Sequence, residues 1–179
     1  GIMGMLDIIR KNRQDEAKVD DCLDKINLSA SHLLALVNDV LDMNKLESGK
    51  ETIESVSFDL AHLMDDVSSL VNAQITEMGI THCTHRGELT HTRLIGSPLR
   101  LRQIMLNLFS NAIKYNKPGG MIDTYAGEVS CDGTRVVYEF RITDSGIGMS
   151  SEFIEKELFH PFTQEKSGAR TQYKGTGLG

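Results

Sequence analysis

Between Asp15 and about Ser48 the chain places Val19, Leu23, Ile26, Ala30, Leu33, Val37 and Val40 at alternating steps of four and three, with no proline or glycine among them. Such a heptad seam keeps one apolar stripe aligned along a single helix, and at 1.5 Å per residue that helix runs ~50 Å. A helix this long and one-sided needs a partner to cover its stripe. The run Ile2 to Ile9 supplies a second helical segment, turned back through the polar K-N-R-Q of Lys11 to Gln14. That segment is too short to cover the seam. The expectation is therefore a dimer in which two hairpins form a four-helix bundle, with a monomeric antiparallel coiled coil as the alternative.

The seam stops at E-S-G-K-E, between Gly49 and Ile53, which divides the 179 residues into a helical domain, 1–50, and a second domain, 51–179. The second reads as strand 52–57, helix 59–78, strand 80–86, a short strand at 93–95, helix 98–115, a hairpin 121–143 turning at Asp132-Gly133, and a short helix 151–157. Helices on one side of a mixed sheet make an α+β sandwich. A formal charge of −6 argues against nonspecific nucleic-acid binding, which needs a basic stripe. No apolar run approaches the ~20 residues that span a bilayer. Cys22, Cys83 and Cys131 are an odd number without motif spacing, which suits a reducing cytoplasm.

Three polar segments carry the chemistry. In N-L-F-S-N-A-I-K-Y, Asn107 to Tyr115, the apolar residues Leu108, Ala112 and Ile113, preceded by Ile104 and Leu106, have helix-compatible spacing, and Pro118-Gly119-Gly120 ends the helix. Asn107 and Asn111, four apart, project from one face. Their amide oxygens are hard ligands of the kind Mg2+ accepts beside waters and phosphates, and Lys114 offers a point charge to a phosphate. In D-S-G-I-G-M, Asp144 ends an alternating strand, where its carboxylate can accept the exocyclic amino proton of adenine. Gly146 and Gly148 let the backbone approach a planar base. In G-T-G-L-G, Gly175, Thr176, Gly177, Leu178 and Gly179 offer backbone N–H groups to phosphates, without the spacing of a P-loop.

With F-H-P-F at Phe159 to Phe162, these segments resemble the asparagine box, first glycine box, phenylalanine box and second glycine box of sensor histidine kinases. The resemblance implies an ATP-binding domain of the histidine-kinase and gyrase type, with ATP and Mg2+ as cofactors. It places Asn111 and Asn107 on the metal, Lys114 on phosphate, Tyr115 against adenine or ribose, and Asp144 as the adenine contact. The polar stretch T-Q-E-K-S-G-A-R-T-Q-Y-K reads as a lid closing on nucleotide, with Arg170 and Lys174 as its cations. ATP-hydrolysing relatives carry a Glu four residues before the metal Asn. Here that position is Asn107, which cannot act as a general base at neutral pH.

The segment Ser31 to Lys50 resembles the second helix of the family's dimerisation and phosphoacceptor domain, and M-N-K-L-E-S-G-K with F-T-Q is similar to hybrid kinases. The phosphoacceptor histidine of the family lies upstream, on the first helix, so the expectation is a chain that begins after its own catalytic histidine and stops before the sheet is complete. The parent is expected to be a protein histidine kinase with a homodimer interface and a response-regulator receiver domain as partners, cytoplasmic here and membrane-anchored upstream in many members. Alternatives are a nucleotide-binding dimeric scaffold without transfer, or an ATPase of the same superfamily. The cluster His82, Cys83, His85 and His91 fits no standard zinc spacing, and strand alternation sends His82 to the opposite face. Members usually have Asp where this chain has Ser97. Ser97 can still cap the following helix, with Pro98 at its first position.

Overall fold

The computed structural model describes residues 1–47, 53–160, Thr163 and Glu165, and the chain divides into two compact units, Gly1–Glu51 and Thr52–Gly179.

The first unit is a helical hairpin, α1 (Ile2–Lys11) and α2 (Glu16–Glu47). Asn12 ends α1 by turning its side-chain amide back onto the Ile8 carbonyl at 2.8 Å, and the Asp15 carboxylate accepts from the Lys18 N–H at 3.2 Å, which starts α2. Ile2, Met5 and Ile9 of α1 are half-buried, as are Val19, Ile26 and Ala30 of α2. The expected seam is corrected at one position: Cys22 is buried at 4% exposure while Leu23 stands 43% exposed. The face that α1 covers runs through Val19, Cys22 and Ile26, and a small thiol fits that close contact where hydropathy had favoured leucine. At 1.5 Å per residue, ten residues of α1 reach ~15 Å along the ~48 Å of α2. Beyond that reach Leu33, Leu34, Val37, Val40 and Leu41 are exposed.

The second unit is two-layered. Its elements are β1 (Val56–Asp59), α3 (Leu60–Glu77), β2 (Thr81–Arg86), β3 (Arg93–Gly96), α4 (Pro98–Lys114), β4 (Met121–Cys131), β5 (Val136–Asp144) and α5 (Ser151–Lys156). β1 and β3 form an antiparallel pair, while β2 runs parallel and β5 antiparallel to the central β4. The first strand begins later than 52–57, because its ends are set by pairing from Val56 with Gly96 to Asp59 with Arg93 rather than by alternation. Residue 52 lies outside the described residues.

Each helix begins where the sequence supplies a cap. The Asp59 carboxylate accepts from the Ala61 and His62 N–H groups, and Ser97 Oγ accepts from the Arg100 N–H with Pro98 at the first helical position. α3 then buries Leu60, Leu63, Met64, Val67, Val71 and Ile75, and α4 buries Met105, Phe109, Ala112 and Ile113, against Ile122 and Ala126 of β4. On β2, alternation separates the histidines. His82 lies edge-on to Phe109 and meets Asn72 and Thr124, whereas His85 pairs with Asp123 at 2.9 Å.

Candidate nucleotide-binding site

The C-terminal end of α4 and the loop after β5 are tied into one platform by a small hydrogen-bond network. The Tyr115 carbonyl accepts from the Ile147 N–H at 3.1 Å. The Met121 carbonyl accepts from the Ser145 N–H at 3.0 Å and from the Asn116 side-chain amide at 3.1 Å. Asn116 Oδ1 in turn accepts from the Lys117 N–H at 3.0 Å and the Ser145 hydroxyl at 3.1 Å, and Ser145 Oγ accepts from the Met121 N–H at 2.8 Å. Asn116 is 2% exposed, so these bonds replace water entirely. Sequence reading passed over this residue, although its place between the last helical turn and Pro118-Gly119-Gly120 marked it as a candidate for local amide-to-backbone bonding.

Asp144 closes β5 opposite Ile122. Its Oδ1 accepts from the Gly146 N–H at 2.8 Å, an Asx-type turn that fixes the carboxylate, and Oδ2 has no hydrogen bond among the described residues. Gly146 is required by close approach: a Cβ there would lie 2.3 Å from the Tyr115 carbonyl oxygen. Gly148 is required by conformation, with φ of +66°.

On α4, Asn107 is exposed and Asn111 half-buried on the same face, and neither amide side chain bonds to a described residue. Two amide oxygens one helical turn apart, bonded to no other described residue, fit a hard cation that keeps waters and phosphates as its other ligands. Lys114 Nζ donates to the Tyr115 hydroxyl at 2.9 Å and lies 4.5 Å from the ring centroid. An ammonium has three donors, so this contact leaves Lys114 able to meet an anion.

Beyond the glycines, Ser150 caps α5 through its hydroxyl, and its N–H donates to the Glu165 carboxylate at 3.2 Å. Phe159, the first residue of F-H-P-F, is 93% exposed. Phe162, Arg170, Lys174, Gly175, Thr176, Gly177, Leu178 and Gly179 lie outside the described residues, as does most of the expected lid. The structure thus brings together Tyr115, Asp144 and Gly146 directly, with Asn107, Asn111 and Lys114 on the adjoining helix. Among the described residues no helix is long and apolar enough to cross a membrane.

Residues 96–179 match the family described as histidine kinase-, DNA gyrase B-, and HSP90-like ATPase. Over its whole length the chain is 36% identical to the signal transduction histidine-protein kinase BarA of Escherichia coli and 35% identical to hybrid signal transduction histidine kinase B of Dictyostelium discoideum. It spans 19% of the first and 9% of the second. Among solved structures, full-length ShkA in complex with AMPPNP superposes with a TM-score of 0.67 at 28% identity, over 92% of this chain and 32% of that one. The mixed sheet under two helices, the turn that fixes Asp144 and these matches lead to one conclusion: from Gly96 to Gly179 the chain carries a domain of the histidine kinase-, DNA gyrase B- and HSP90-like ATPase family, within a sequence similar throughout to sensor histidine kinases.

Proposed function

We propose that this chain is the nucleotide-holding core of a sensor histidine kinase. It binds ATP with Mg2+ and delivers the γ-phosphoryl group to a histidine on the helical bundle of a homodimer, for relay to an aspartate of a response-regulator receiver domain. The observation that carries this reading is the tie from Ile147 to the Tyr115 carbonyl, which holds the Asp144 turn against the helix bearing Asn107, Asn111 and Lys114.

In this reading Asp144 Oδ2 accepts from the adenine amino group, Gly146 and Gly148 admit the plane of the base, and Tyr115 flanks it. Asn111 and Asn107 would hold Mg2+, which would supply charge neutralisation to the phosphates. Lys114 meets a phosphate as a point charge, and Arg170, Lys174 and the stretch Gly175 to Gly179 close over the phosphates. Transfer forms a bond from the acceptor imidazole nitrogen to the γ-phosphorus as the bond to the leaving ADP oxygen breaks. The protein contributes position and charge rather than covalent chemistry. Asn107 offers no general base for water, which favours transfer over hydrolysis. Work of this kind belongs in the cytoplasm, where ATP and reduced cysteines are found.

Calorimetry with ADP and a nonhydrolysable ATP analogue, with and without Mg2+, tests the reading. Binding of the analogue is expected to strengthen with Mg2+, and Asp144→Asn is expected to weaken both ligands by ~10- to 100-fold, the worth of a hydrogen bond to a charged group. Equal affinity in Asp144→Asn would overturn the assignment.

A further inference from the structure

At the far end of β4 from Asp144 lies a second constellation that nucleotide binding does not use. In a regular strand, residues three apart face opposite sides. Here a bulge intervenes: Glu128 pairs with Tyr138 and Ser130 with Val137, which leaves Val129 as the extra residue. Such an insertion re-aims the side chains that follow it, and Glu128 and Cys131 thereby converge on the same histidine. His91 Nδ1 lies 2.8 Å from Glu128 Oε1, and its Nε2 lies 3.9 Å from Cys131 Sγ.

The carboxylate is itself fixed, because Glu128 Oε2 accepts from the Thr90 and His91 N–H groups at 3.1 Å. The His91 carbonyl accepts from the Tyr138 hydroxyl, and Cys131 Sγ accepts from the Gly133 N–H at 3.4 Å. One donor atom from each of His91, Glu128 and Cys131 falls within 4.8 Å of the others.

We infer that this corner is a binding site for a zinc-class divalent cation, with Cys131 Sγ and His91 Nε2 as protein ligands and Glu128 holding the imidazole from behind. Imidazole and thiolate are the donors such ions select, and a ligating histidine characteristically donates its other N–H to a carboxylate. The spacing also fits. With Zn–N of ~2.0–2.1 Å and Zn–S of ~2.3 Å, a tetrahedral angle separates the donors by ~3.6 Å and a straight line by ~4.4 Å. The observed 3.9 Å falls between them, and is long for a thiol-to-imidazole hydrogen bond. His91 and Cys131 are both exposed, which leaves the remaining positions to water.

Cobalt titration of the metal-free, reduced chain tests this, read by the thiolate-to-cobalt charge-transfer band. One equivalent is expected to bind. Cys131→Ser should abolish the band, Glu128→Gln should weaken binding ~10- to 100-fold, and Cys83→Ser should leave it unchanged. Cys131 is exposed, and circular dichroism with retained nucleotide binding shows that its variant is folded. No band, a band that survives Cys131→Ser, or one lost in Cys83→Ser would each overturn the site. Because Glu128 and Cys131 stand seven and ten residues along β4 from Met121, ~23 and ~33 Å at strand rise, failure of this site leaves the nucleotide reading untouched.

Discussion

The two units handle their apolar residues in opposite ways. The hairpin fully buries only Cys22 among its described hydrophobic residues and leaves Leu33, Leu34, Val37, Val40 and Leu41 exposed on one long helix. The α/β unit closes thirteen residues of α3, α4, β4 and Ile80 into a continuous core. A helix pair joined at one end can bury only the length of its shorter member, whereas a helix layer on a sheet presents area in two dimensions. The α/β unit therefore has the means to stand by itself, and the hairpin needs a surface from elsewhere, which the proposed homodimer supplies.

The sharpest test of this contrast pairs substitutions in the two units. Leu60→Ala, at a fully buried position, is expected to cost about 2–5 kcal/mol in urea denaturation of the α/β unit. Leu33→Ala combined with Val37→Ala should leave that transition within about 0.5 kcal/mol while raising the dimer dissociation constant in sedimentation equilibrium. A double variant that leaves association unchanged would break the comparison.

A smaller effect is expected at the platform. Asn116→Ala removes a buried amide that serves the Met121 carbonyl, the Lys117 N–H and the Ser145 hydroxyl. The cost should be about 1–3 kcal/mol, with weaker nucleotide binding measured at a temperature where the variant remains folded. Nucleotide affinity that survives intact would separate the network from the site.

The smallest effect concerns acid. Burial holds the His82 imidazole below its ordinary 6.5, with the Asp123 carboxylate working weakly the other way. The unfolded chain then takes up the proton more readily, so this contribution to stability is complete above pH 6.5 and declines as pH falls through that value toward the folded one. The urea midpoint should drop between pH 7.5 and 5.5, and His82→Gln should remove part of that drop.

Much of this architecture is legible in local chemistry. Ser97-Pro98 and Asp59 announce helix starts, Asp132-Gly133 the hairpin turn, and the alternation of Val136 to Ile142 the strand that delivers Asp144. The Asn107 and Asn111 pair and the D-S-G-I-G turn can be read in the same way, because each depends on residues within a few positions of one another. The first strand reads from sequence as 52–57, and pairing with β3 instead sets it from Val56 to Asp59, a register that local residues do not specify. The heptad spacing selects Leu23 rather than the buried Cys22, because hydropathy ranks side chains without knowing which face a short neighbour covers.

By itself the sequence determined the order of elements, the long uninterrupted helix and the nucleotide motifs, all set by backbone propensity, capping and periodicity over short spans. Tertiary structure alone decided the Asn116 network, the approach of Gly146 to the Tyr115 carbonyl and the meeting of His91 with Glu128 and Cys131. Thirty-seven residues separate His91 from Glu128. Strand register and a single bulge bring them together, and neither follows from local propensity.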